Sequence, residues 1–368
     1  MRVTEQTEAA RWDARLRESG GHPLQAWAWG ALKERFGWQA HRLWTDDGRA
    51  AAQLLIRPYR GIGAAYVPRG PLLSGEPAAA GDPATNADAA TDAALLDALQ
   101  GLARRRRAAF LRLEPDVMAG SPAEKSLDSA LTGRGFRAVQ RTLQPRASVR
   151  LDLAGSDDEL RRGLSKGHRA DVRRAEKADV EVRRGASEAD VDLLHAMMRA
   201  TQARKTFGIH SAAYYRAAWR LYGDDALLLL ARHDGAVVAA SLVLSFGRQA
   251  VYLAAGSSPA GLQVRASHLL QWHALRWARD HGAQTYDLWG IPDARGRLEL
   301  AGTPAGDEGD TADGPRAALE RAAAADPLDG VFRFKKGWGG EVVRSVPAYD
   351  RVFFPPAYWF WRWRGQSL

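Results

Sequence analysis

The spacing of apolar residues changes period along the chain, and those changes mark its elements. Ala9, Trp12 and Leu16 share a helical face within residues 1–19. Pro23 starts a second helix, as proline does at a first turn, and Leu24, Trp27, Ala31, Leu32 and Phe36 give it an apolar side that also carries Lys33. The period then falls to two. Residues 39–44 and 50–58 read as strands around Asp46, Asp47 and Gly48, a hairpin signal, and 64–67 is a third strand ended by Pro68. Residues 76–91 offer little to bury and predict a solvated loop, after which Thr91 caps a helix to about residue 107. Residues 109–113, 136–140 and 146–153 are further strand candidates.

The second half repeats this order without repeating the sequence. Ser156 and Glu159 form a capping box ahead of a basic helical segment. Ser187 opens a helix to about 203, and Ser211 caps one to 222. Alternation over 226–232 and 237–245 predicts a hairpin about Asp234 and Gly235; 250–255 is a strand, 262–281 a long amphipathic helix, and 285–288 a strand. Residues 298–325 are rich in Gly, Asp, Ala and Pro and read as a mobile insertion.

Charge adds a preference for partners. The 52 basic and 43 acidic residues leave a net charge of +9, which favours nucleic acid, a nucleotide diphosphate or an anionic membrane face. A codon bias toward Arg would give the same balance with no partner. Arg162, Lys166, Arg169 and Arg173 recur at helical spacing as a cationic stripe suited to phosphates, tRNA among them; a solvated face is the alternative. Arg104 to Arg107 end a helix and have the same two readings. The aromatic tail from Phe353 to Trp363 suits either a helix packed on the first domain or an anchor at an anionic lipid interface.

The missing chemistry narrows the reaction. There is no cysteine, no nucleophile elbow, no phosphate loop and no zinc-binding helix motif; His268 and His273 are five apart and do not share a helix face for one metal. The expectation is therefore no metal and no cofactor. No apolar run is long enough to span a membrane, and the first residues lack the core of a signal peptide, so a cytoplasmic location, peripheral to the membrane at most, is expected.

Lysine is scarce, seven among the 52 basic residues, yet Lys335 and Lys336 are adjacent. They lie between Phe332, Phe334 and Trp338 and beside Gly337, Gly339 and Gly340. A compact ammonium meeting developing negative charge is one reading. A short helix with cations in its last turn, stopped by Gly337, is the other.

The run Phe-Lys-Lys-Gly-Trp-Gly-Gly-Glu from Phe334, followed by Ala348-Tyr-Asp and a Pro-Pro-x-Tyr tail, resembles the closing segment of the FemABX family, aminoacyl-tRNA-dependent transferases that build peptidoglycan cross-bridges. His22-Pro-Leu-Gln-Ala-Trp-Ala-Trp-Gly with Lys33, Tyr66-Val-Pro-Arg-Gly-Pro and Tyr286-Asp-Leu-Trp-Gly-Ile-Pro are similar to that family too. The resemblance implies a mixed α/β fold of two tandem acetyltransferase-like (GNAT) domains without a coiled-coil arm. The first is residues 1–147 with 347–368, for precursor binding; the second is 148–346, for acyl transfer on the tRNA side. It places Lys335 and Phe334 at the catalytic centre and Lys33, beside Trp29, on the substrate diphosphate. Tyr214, Tyr215 and Tyr252 join the substrate-binding set, with His210 or Arg204 as candidates to replace an Arg that the family carries. The family pairs an Arg with a Tyr four residues on; here the Arg is missing, and Ala254 stands where some members carry Tyr. The implied partners are aminoacyl-tRNA and a peptidoglycan precursor, lipid II or UDP-MurNAc-pentapeptide, with Gly, Ala or Ser transferred. Two alternatives stand: an acyl-CoA-dependent N-acyltransferase, and a non-catalytic basic protein that binds RNA or membrane.

Overall fold

Each half of the chain builds one seven-stranded sheet from antiparallel hairpins and a single parallel crossover. The computed structural model describes residues 1–74, 86–203, 208–301, 314–326 and 328–363. The chain divides into two units, Met1–Arg146 with Ser345–Leu368, and Ala147–Arg344.

The first unit contains β1 (Val3–Glu5), α1 (Ala9–Glu18), α2 (Trp27–Glu34), β2 (Gln39–Thr45), β3 (Ala51–Tyr59), β4 (Ile62–Pro68), α3 (Asn86–Arg105), β5 (Ala108–Glu114), α4 (Pro122–Thr132) and β6 (Arg137–Val139). β2, β3 and β4 pair antiparallel, whereas β4 and β5 run parallel, joined through α3. Leu95, Leu96 and Leu99 of α3 are buried in the core of this unit.

Four details differ from the sequence reading. Pro23 opens only a single 3-10 turn, Pro23–Gln25, and α2 starts separately at Trp27, so Leu24 and Phe36 lie outside it. Residues 3–5 form an edge strand on β2, not part of a helix, because β-branched Val3 and Thr4 suit a pleated edge. Thr91 does not cap α3. The helix is already under way at Asn86, and the Thr91 hydroxyl donates to Asp47 Oδ2 at 3.0 Å. Most of the expected loop, residues 76–85, lies outside the described residues. α4, with Pro122 in its first turn, has no counterpart in the expectation.

The second unit contains β7 (Ala147–Asp152), α5 (Asp157–Gly163), α6 (Lys166–Lys177), β8 (Glu181–Arg184), α7 (Glu188–Gln202), α8 (Ala212–Tyr222), β9 (Ala226–His233), β10 (Ala236–Phe246), β11 (Gln249–Ser257), α9 (Pro259–Gln263), α10 (Ala266–Asp280), β12 (Thr285–Gly290), α11 (Asp293–Ala301), α12 (Pro315–Ala325), α13 (Asp329–Lys336) and β13 (Glu341–Arg344). The sheet order is β13-β7-β12-β11-β10-β9-β8, and the parallel pair β11 and β12 is joined through α10.

The expected long helix over 262–281 is two helices, broken where Arg265 takes a left-handed φ of 61°. The basic segment is also broken. Leu164 is extended, with ψ 147°, and Ser165 caps a new helix by accepting from the His168 amide. The expected insertion at 298–325 holds the end of α11 and all of α12, where alanines follow a first-turn proline; residues 302–313 lie outside the described set.

The chain then returns to the first unit. β14 (Ala348–Val352) inserts between β5 and β6, completing the order β1-β2-β3-β4-β5-β14-β6. Asp350 of β14 accepts two 2.7 Å bonds from Arg112 and one of 2.9 Å from the Tyr358 hydroxyl, so both buried charges are paired. α14 (Pro355–Trp363) follows. Among the described residues there is no coiled-coil arm, and no helix is long and apolar enough to cross a membrane.

Candidate active site

α13 is short because Gly337 ends it, and its spacing turns Phe332 and Lys335 inward. Lys335 is only 7% exposed. Its Nζ donates to the carbonyl oxygens of Trp289 at 3.1 Å and Gly290 at 2.7 Å. Those carbonyls stand at the end of β12, where Trp289 takes a φ of 65° and the pairing with β7 slips between Asp287 and Gly290. Asp287 holds this bend. Its carboxylate accepts from the Trp289 amide at 2.7 Å, from Arg150 Nε at 3.1 Å and from the Ser148 hydroxyl at 3.2 Å.

An ammonium has three hydrogens. Two are fixed by the β12 carbonyls, and no other described group accepts the third, which remains for a ligand. Burial pushes the Lys335 amine down to about 7, with the Asp287 charge opposing the fall. Lys336, by contrast, reaches only the Gly340 carbonyl at 3.4 Å.

Rings wall the segment. His168 of α6 donates from Nε2 to the Phe334 carbonyl at 2.7 Å, and Ser165 Oγ lies 3.2 Å from its Nδ1. Since a carbonyl only accepts, the proton is on Nε2. Ring centroids of His168 and His268 are 4.8 Å apart, and Phe334 lies 5.1 Å from His268 and 6.1 Å from Trp338. Gly337 is required here: a Cβ at that position would stand 2.0 Å from His168 Cε1. Gly339, at φ +85°, would place a Cβ 2.1 Å from the Gly163 carbonyl. Burial lowers the basicity of His168. Burial and the adjacent His168 hold His268 down at about 4. The cage is therefore uncharged at neutral pH. Asp287 lies in the Tyr286-Asp-Leu-Trp-Gly-Ile-Pro motif, but neither its role nor those of His168 and His268 is readable from spacing; they meet Lys335 and Phe334 only through the fold.

The remaining candidates fall into separate groups. In the second unit, His210 stacks on Tyr214 at 3.9 Å and its amide donates to the Tyr215 hydroxyl at 3.3 Å. Burial raises both phenols and that of Tyr252, which packs against the core. Arg204 lies outside the described residues. In the first unit, Lys33 Nζ lies 4.7 Å from the centre of the buried Trp29 ring. Burial and the neighbouring Arg57 cation depress Lys33 to about 8. Sequence reasoning missed Arg57, which lies far along the chain on β3. The four residues of the basic stripe do not share one helix: Arg162 is on α5 and the other three on α6. Arg169 is bound to the elbow between them, donating to the carbonyls of Arg162, at 3.0 Å, and Leu164.

Three amides of the turn after β11 are engaged within the protein. The amides of Ser257, Ser258 and Gly261 already donate to Thr201 Oγ1 at 3.0 Å, the Val238 carbonyl at 2.9 Å and Ser258 Oγ at 3.1 Å. Gly256 and Gly261 abut the backbone of Met197 and Val238. An acyl-CoA pyrophosphate needs free amides at such a turn.

Hairpins followed by a parallel crossover, used twice, define a mixed α/β protein whose two halves share one element order. The chain belongs to the FemAB family, whose model matches residues 4–235 and 232–297. It is 22% identical to the lipid II:glycine glycyltransferase of Staphylococcus aureus (strain USA300), with 92% of this chain and 90% of that protein aligned. Among solved structures it is similar to FemX, with a TM-score of 0.77 and 20% identity over 98% of this chain and 99% of that one. L-PGS from Bacillus licheniformis matches at a TM-score of 0.51 and 14% identity, over 99% of this chain and 98% of that one.

Proposed function

We propose that this protein is an aminoacyltransferase that extends the stem peptide of a peptidoglycan precursor toward a cross-bridge, taking Gly, Ala or Ser from aminoacyl-tRNA. Family membership and the glycyltransferase relative support the reaction class. The observation that carries the reading for this chain is the Lys335 amine, buried, fastened at two corners and available at the third.

In this reaction the stem-peptide amine attacks the ester carbonyl of the aminoacyl group. A C–N bond forms, the C–O bond to the tRNA ribose breaks, and the amine proton ends on the released ribose hydroxyl. Charge develops on the carbonyl oxygen between these events. The third Lys335 hydrogen stabilises that oxyanion; the carbonyls of Trp289 and Gly290 prevent the ammonium from turning away. Removing one such donor typically costs about 10²–10³ in rate. Phe334 and its ring neighbours exclude water. Lys33 and Arg57 form a dicationic patch for the precursor diphosphate, and a lipid-linked precursor brings the protein to a membrane face.

The test supplies tRNA charged with a labelled amino acid, and acetyl-CoA in parallel, together with a muramyl-pentapeptide precursor. Label on the peptide amine from tRNA alone supports the reading. Transfer only from acetyl-CoA, or none from either donor, overturns it.

A further inference from the structure

α14 has two unlike faces. Tyr358 and Trp361 point inward, meeting Phe110 edge-on at 5.3 and 6.4 Å, and Trp361 meets Tyr59 at 5.9 Å. The outer face presents Trp359 (60% exposed) and Trp363 (83%), one helical turn apart, with Phe360 beside them and Phe354 (49%) just before the helix. Seven large apolar side chains are exposed among the described residues, and four of them fall in this one stretch. Single exposed apolar residues are ordinary, but such a concentration marks an interaction surface.

The three segments that border that strip carry only basic charge. The backbone ties three segments together: Gly63 N donates to the Arg107 carbonyl at 2.9 Å, while Phe353 N and Phe354 N donate to the Ala109 carbonyl at 2.8 and 2.9 Å. Arg104 lies over the Phe353 ring at 4.8 Å, Arg60 over Tyr59 at 5.6 Å, and Arg362 over Trp359 at 5.3 Å. Residues 57–63, 104–110 and 353–363 together contain seven exposed arginines, at 57, 60, 104–107 and 362, and no Asp or Glu. Seven exposed cations brought together with no acidic residue in the same segments favour an external anion.

We propose that this face docks on an anionic phospholipid surface, with α14 lying in the plane of the headgroups. Indole and phenyl rings seat at the boundary between headgroups and acyl chains, and arginines reach the phosphates. An RNA would satisfy the arginines but leave the apolar strip on α14 wet, so lipid is the better fit. Arg57 also neighbours Lys33. Docking therefore brings the proposed diphosphate site to headgroup level. That last point rests on the transfer reading, whereas the docking does not.

The experiment sediments the whole protein with phosphatidylcholine vesicles, with and without phosphatidylglycerol, across a salt series. Wild type should pellet with the anionic vesicles at low salt and be released as salt rises. Trp359→Ser with Trp363→Ser, and separately Arg105→Glu with Arg106→Glu, should each weaken binding by more than about tenfold. All these side chains are exposed, so the variants should melt like wild type. A wild type that stays in the supernatant, or variants that bind as well as it does, overturns the proposal. So does loss of tRNA binding by the variants, measured by anisotropy, with vesicle binding intact. Transfer to a water-soluble precursor is measured alongside; its persistence when docking fails separates this inference from the proposed reaction.

Discussion

Replacing Lys335 by methionine keeps the length of the side chain and removes its charge, which separates the two things the buried amine does. Burial takes the amine from 10.5 to about 7. At about 1.4 kcal/mol per unit, that is a folding cost of roughly 5 kcal/mol at neutral pH. Methionine relieves that cost but leaves the carbonyls of Trp289 and Gly290 without a donor, at about 1–3 kcal/mol each. The two effects nearly offset, so stability should change by no more than about 3 kcal/mol. Transfer, in contrast, should fall by about 10²–10³. Two pH profiles sharpen the test. Between pH 7 and 10.5 the unfolded chain holds a proton on this lysine that the folded protein has released. Wild-type stability should therefore rise with pH in that window by up to about 1.4 kcal/mol per unit, and the variant should lack this rise. The charged form stabilises the oxyanion, so wild-type kcat/KM should decline as pH rises through about 7. Single-turnover transfer from labelled aminoacyl-tRNA and denaturant melts across pH measure both. A variant transferring at the wild-type rate refutes the catalytic role; identical stability slopes refute the buried amine.

Further expectations follow from the same geometry. Asp287→Asn should weaken the bend that presents the two carbonyls and remove the charge that keeps the Lys335 amine from falling further, so the alkaline limb of the pH–rate profile should move to lower pH. An unmoved limb would refute that coupling. Gly337→Ala forces a methyl into the His168 ring and should cost about 1–3 kcal/mol of stability, read from denaturant melts. It should also slow transfer by displacing Phe334. His268 is held neutral, so its contribution is full above its unfolded value of 6.5 and is lost as pH falls toward about 4. His268→Gln should flatten acid destabilisation in that window, measured by thermal melts at stepped pH.

The elements with local signals were legible in the sequence. The capping serines 156, 187 and 211 start α5, α7 and α8, and Asp234 with Gly235 turns the β9–β10 hairpin, because a cap or a turn is decided within four residues. Breaks at non-glycine residues were not legible. Nothing in Arg265 or Leu164 signals a helix boundary; tertiary packing sets their conformations. The scarcity of lysine drew attention to Lys335, but not to what surrounds it. Its anchors come from a strand end 45 and 46 residues earlier, and the wall of its segment comes from His168, 166 residues before Phe334. Such contacts have no periodicity to read. The basic stripe is a different case: its regular spacing hides a local cap, Ser165, that restarts the helix inside it.

The place of β14 has a consequence for how this chain is made. The strand that joins β5 to β6 is specified by residues beyond the whole of the second unit. A ribosome releases that unit complete while the earlier one still lacks an interior rib. Until Asp350 emerges, the Arg112 guanidinium lacks the carboxylate that accepts its two hydrogen bonds, and closing that sheet would bury it without them. The half that begins first is therefore the half that finishes last, and a truncation after the second unit would leave the first sheet without its inner strand.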